Sequence, residues 1–168
     1  MTGALILAVG LTCNAPERSP AIAADTANDP AVIWRAGETY AAYTGHFTSR
    51  RKDWETRDGW AAVPDAFVAR ARALPTTFRV LAVADEGCGD SMNSMPYLAR
   101  LVSLAGTLDL HFVNSQRGRA IMEAYRTPDR RAWYANDKGR SALAEWVPML
   151  ERIARGEIVC ASVPASKN

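Results

Sequence analysis

Residues 80–102, VLAVADEGCGDSMNSMPYLARLV, decide how this chain folds. Phe78 to Ala84 (FRVLAVA) is a β-rich apolar run of strand length, set off by Pro75 before it and Gly87 after it, so it reads as a buried strand. Met92, Met95, Leu98, Ala99, Val102 and Ala105 then recur at helical spacing, and Gly106 supplies a C-terminal stop. Between strand and helix lies Asp85-Glu86-Gly87-Cys88-Gly89-Asp90-Ser91. A cysteine at that junction meets the unpaired N–H groups and the dipole of a helix N-terminus, both of which favour a thiolate. The carboxylates of Asp85, Glu86 and Asp90 oppose this, and no Lys or Arg is adjacent in sequence, so the expected thiolate character of Cys88 is moderate. The competing reading is a small residue packed at a tight turn.

The flanks extend the pattern. Val63, Phe67, Ala71 and Leu74 fall on one face of a helix over Pro64 to Leu74. Leu108 to Asn114 (LDLHFVN) alternates as a second strand, Ala120 to Tyr125 is a short helix, and Thr127-Pro128-Asp129 ends it in a turn. Ser141 caps a terminal helix whose Leu143, Trp146, Val147, Leu150, Ile153 and Ala154 form one apolar stripe, with Pro148 expected to bend it and Gly156 to end it. Trp34, Tyr40 and Tyr43 read as packing aromatics, and His111 and His46 as structural, because neither histidine has a second ligand at metal spacing. No metal site is expected.

The chain has 168 residues, with 20 Lys+Arg against 18 Asp+Glu, a balance that argues against a nucleic-acid surface. Arg50-Arg51-Lys52 and Arg130-Arg131 read as solvated faces. Three cysteines are too few for a disulfide scaffold. There is no phosphate-cradling glycine loop, no Gly-x-Ser-x-Gly elbow and no His/Cys ligand cluster, so kinase, hydrolase and nucleotide-binding readings find no support.

Ala4 to Leu11 (ALILAVGL) has signal-peptide length, far short of the ~20 residues of a membrane-spanning helix. Two processing sites compete: Cys13 after Gly10-Leu11-Thr12, which would carry a lipid and anchor the protein to a membrane, and Ala21-Ile22-Ala23. The expected location is the periplasm or cell envelope, with the cytoplasm as alternative, since no basic residue precedes the apolar run. A buried N-terminal strand or helix is the structural alternative for this run. The expected organisation is a signal or lipoprotein segment with linker over residues 1–30, one α/β domain over 31–160, and a flexible tail over 161–168. Cys160, near that tail, is free to pair with another thiol.

Strand, Cys88-Gly89-Asp90-Ser91, helix, and Pro96 eight positions after the cysteine together resemble the thioredoxin superfamily. More closely, Glu86-Gly87-Cys88-Gly89-Asp90-Ser91 is similar to the Asp-Trp-Cys-Gly-Asp-Ser site of a bacterial thioredoxin-like branch. The similarity runs from Trp34 to Tyr125, and Ala132-Trp133-Tyr134 through Gly156 resembles the end of such proteins. The resemblance implies a three-layer α/β thioredoxin-like fold with Cys88 and Ser91 as the catalytic pair and Gly89 and Asp90 forming the helix N-terminus and loop.

Three departures modify that expectation. Gly87 stands in place of the usual tryptophan, and Ser91 in place of a second cysteine, which leaves a monothiol site. Pro128 is followed by Asp-Arg-Arg, with no β pattern, so the cis-proline strand and its hairpin partner are not evident, and the fold is expected to be shortened with a trans Thr127-Pro128 bond. The resulting open sheet edge invites a homodimer. Two functions follow from the resemblance. One is thiol-disulfide exchange with a protein substrate, needing no cofactor, in which Ser91 hydrogen-bonds the sulfur and an external thiol such as glutathione completes the cycle. The other is a non-catalytic thioredoxin-fold module that binds a protein.

Overall fold

A computed structural model of the chain describes residues 6–9, 29–124 and 141–157. In chain order the elements are strand β1 (Ile6–Val9), helices α1 (Pro30–Arg35), α2 (Tyr40–Gly45), α3 (Arg51–Trp60) and α4 (Asp65–Arg72), strand β2 (Phe78–Val83), helix α5 (Gly89–Ala105), strand β3 (Leu108–Val113), and helices α6 (Arg119–Ala124) and α7 (Ser141–Ala154). The strands expected at Phe78 and Leu108 and the helices expected at Pro64, Met92, Ala120 and Ser141 are present, each with bounds within a few residues of those expected. Pro148 lies inside the single helix α7.

The described strands form one parallel sheet in the order β1-β2-β3. β2 is central, with Phe78 opposite Leu108 and Val83 opposite Val113, and its apolar run follows from burial on both faces. Phe78, Val80 and Ala82 share a core with Leu98 and Leu101 of α5 and with Leu143, Trp146, Val147 and Leu150 of α7. Leu81 and Val83 point the other way, to Ile33 and Trp34 of α1 and Ile121 of α6. The result is a three-layer α/β fold. Gly106 ends α5 at φ 75°, a left-handed position that glycine occupies without steric cost, and its N–H closes on the Val102 carbonyl.

β1 runs parallel along β2 over four residues, from Ile6 opposite Arg79 to Val9 opposite Ala82. Within the apolar N-terminal run, the described residues Ile6–Val9 are this strand. On the outer side of β3, Glu38 and Phe112 exchange both backbone hydrogen bonds as an isolated antiparallel bridge. Pro30 opens α1, with the Asp29 side chain accepting the Ala31 N–H as N-cap. Cys13, Cys160, the Thr127-Pro128 bond and Ala132-Trp133-Tyr134 lie outside the described residues.

Candidate thiol site

β2 and β3 both end at the same side of the sheet, where the turn after β2 meets the start of α5. Cys88 is the N-cap residue of α5, with extended backbone (φ −82°, ψ 120°), and its carbonyl accepts the Met92 N–H to open the helix. Its thiol is free and exposed. Gly87 and Gly89 are exposed on either side, and a side chain added at either would meet no atom within 4 Å. The sulfur therefore stands on open surface beside the first turn of a 17-residue helix.

The loop beneath it is fixed by elements remote in sequence. The buried Tyr43 hydroxyl of α2 donates to the Ala84 carbonyl. Burial, helped by the negative charges of Asp85 and Glu38, pushes the Tyr43 phenol up to about 12, so it stays a donor. Ser115, just past β3, donates its N–H to Asp85 Oδ1 at 3.0 Å. Glu86 Oε1 accepts the N–H groups of Thr48 at 2.8 Å and Arg50 at 2.7 Å, and the buried Trp54 donates its indole N–H to the Glu86 carbonyl at 2.9 Å. The Arg50 N–H first, then the N–H of Thr48 and the hydroxyl and N–H of Ser49, hold the Glu86 carboxyl below its usual range. Two of the three carboxylates expected to repel a thiolate are thus engaged with main-chain donors.

Ser91 is buried in the first turn of α5, and its Oγ accepts the Asp85 N–H at 3.4 Å. Asp90 follows Gly89 in the same turn and its carbonyl accepts the Ser94 hydroxyl at 2.7 Å. The structure therefore brings Cys88, Gly89, Asp90 and Ser91 to one helix N-terminus, and ties Ser91 to the loop before the cysteine. Sequence reasoning missed Tyr43, Thr48, Arg50, Trp54 and Ser115. They lie about 30 or more residues from the loop in sequence, beyond the reach of any local spacing rule.

The histidines have structural neighbours. His111 stacks on Trp34 with ring centroids 4.1 Å apart and places Nδ1 2.7 Å from the Trp34 carbonyl, while His46 pairs with Glu38 at 2.7 Å. Among the described residues no three His, Cys, Asp or Glu side chains are grouped to hold a metal, and no helix is long and apolar enough to cross a membrane.

Residues 37–157 match the model of a family described as thioredoxin. Two solved structures are similar to the chain. One is a protein of unknown function from Pseudomonas aeruginosa, at 15% identity and TM-score 0.59, covering 75% of this chain and 96% of that one. The other is an HIV epitope-scaffold, also at 15% identity and TM-score 0.59, with 75% and 97% covered. At this identity the likeness is one of fold. No curated protein matches the chain in sequence.

Proposed function

Given that the chain belongs to a thioredoxin family, we propose that it is a monothiol exchange protein whose working group is Cys88. The observation that carries this reading is the exposed, free thiol at the N-cap of α5. There the thiol is open to a disulfide partner, and its thiolate is the attacking form. The Cys88 thiolate attacks one sulfur of a substrate disulfide; a new S–S bond forms, the old one breaks, and the other substrate sulfur leaves as a thiolate. A glutathione thiolate then attacks the Cys88 sulfur of the mixed disulfide and expels the second substrate sulfur as a thiolate; a second glutathione attacks the glutathione sulfur, forming glutathione disulfide and releasing Cys88 as its thiolate. Neither flanking residue, Gly87 or Gly89, carries a side chain that would shield the thiol.

Ser91 at the position of a resolving cysteine favours the second reading, a module that binds a protein partner without turnover. The two separate on reactivity. Peptide-mapped thiol labelling of the folded protein should mark Cys88, and Cys88→Ser should lose that mark. A Cys88 that labels only after unfolding would leave the binding module as the better account. If the Ala4–Leu11 run directs export, the exchange takes place in the cell envelope, an oxidising setting in which disulfide substrates persist.

A further inference from the structure

We propose that Glu86 is the positioning residue of this site: its carboxylate, seated on the main-chain N–H groups of Thr48 and Arg50, fixes the loop that presents Cys88 at the start of α5. The inference rests on the thiol chemistry proposed above. Glu86 stands two residues before the sulfur, where an unengaged negative charge would disfavour a thiolate. Instead Oε1 receives two N–H donors from the segment between α2 and α3, at 2.8 and 2.7 Å. Both distances are those of well-formed N–H···O hydrogen bonds, which an amide oxygen accepts as well as a carboxylate does.

The anchor is hydrogen-bonded rather than an ion pair: Ser49 adds its main chain and hydroxyl to the donors, while the Arg50 guanidinium is directed to Asp53 of α3, with Nε 2.5 Å from Oδ2. Trp54, one turn into α3 and buried, holds the Glu86 carbonyl through its indole N–H. Both the side chain and the backbone of Glu86 are therefore tied to the beginning of α3. Asp85 ties the same loop to the segment after β3 through Ser115. With the loop held at these points, Cys88 keeps its N-cap geometry even though its own side chain makes no capping hydrogen bond.

The test compares the rate of thiol labelling at Cys88 against pH in the full-length protein, its Cys88 peptide read by mass spectrometry. Glu86→Gln keeps an oxygen at the anchor and removes the charge; Glu86→Asp keeps the charge and withdraws it by one methylene. The proposal expects Glu86→Gln to label like wild type. It expects Glu86→Asp and Glu86→Ala to label roughly two- to fivefold more slowly at neutral pH, the change that losing a helix-terminus interaction makes. Arg50→Ala, which keeps its N–H, should follow wild type. Circular dichroism shows whether each variant is folded; if Glu86→Ala is not, the Gln and Asp pair carries the comparison. Equal rates in wild type, Glu86→Gln and Glu86→Asp overturn the positioning role and leave the thiol reading standing. Faster labelling in Glu86→Gln, with Glu86→Asp like wild type, overturns it in favour of simple charge repulsion. A wild-type Cys88 that is inert while folded removes the thiol reading itself, and this inference with it.

Discussion

At the scale of single residues, the site turns on how the groups around Cys88 are engaged. Spacing alone puts Ser91 three positions beyond the sulfur, and the structure gives its hydroxyl to the Asp85 N–H. Ser91→Cys places a second sulfur one turn from Cys88, within the separation a disulfide spans without backbone movement. Under mild oxidation this variant should form an internal disulfide between Cys88 and the introduced thiol, seen as a loss of two thiols without added mass, and gain weak disulfide reductase turnover. Formation of mixed disulfides alone would show that the first turn of α5 holds the two positions apart. The sequence made Cys88 and its helix visible, because a strand-to-helix junction is a local pattern. It could not show the loop's anchors, since Thr48 and Arg50 reach Glu86 only through the tertiary fold.

At the scale of elements, close approach of backbones sets the C-terminal end of the sheet. Gly118, leading into α6, lies so near β2 that a methyl group there would sit 2.5 Å from one Val83 methyl and 2.7 Å from the other. Gly118→Ala should therefore destabilise by about 1–3 kcal/mol through overpacking. In a Val83→Ala background the same change should cost less, and denaturant midpoints of the four proteins measure that coupling. Equal costs in both backgrounds would mean that the loop simply moves aside. The elements that were legible, β2, α5, β3, α4 and α7, carry several apolar residues at one period. By contrast α3 buries only Trp54 and shows no stripe to read, while α1 buries only Ile33 and Trp34 and α2 only Tyr43, too few for a periodic signal. The strand β1 falls within an apolar run that periodicity cannot separate from a targeting segment.

At the scale of the whole molecule, α7 completes the layer that covers β2. Its Leu143, Val147 and Leu150 are fully buried, and Glu151 fixes its register by a two-pronged pair with Arg70 of α4, both contacts at 2.7 Å. Arg70 holds the Glu151 carboxyl below its usual range. A carboxyl lowered in the folded state contributes stability above its unfolded pKa, and that contribution is lost as pH falls through the folded value. Glu151→Gln should therefore lower thermal stability at neutral pH, by no more than about 1 kcal/mol because the pair is partly solvated. The difference should vanish in acid, where wild type has lost the same interaction. A deficit that persists unchanged at low pH would assign the effect to packing of α7 instead of charge.

The central claim is that a thioredoxin-family fold here presents one reactive thiol. The direct measurement is the rate of iodoacetamide labelling at Cys88 in the folded chain at neutral pH, resolved by peptide mass and set against the same cysteine in the denatured chain. The account predicts that Cys88 labels at least as fast folded as unfolded, because its thiol is exposed at the start of α5. A folded-state rate below the unfolded one would contradict it and make Cys88 a packing residue of the turn.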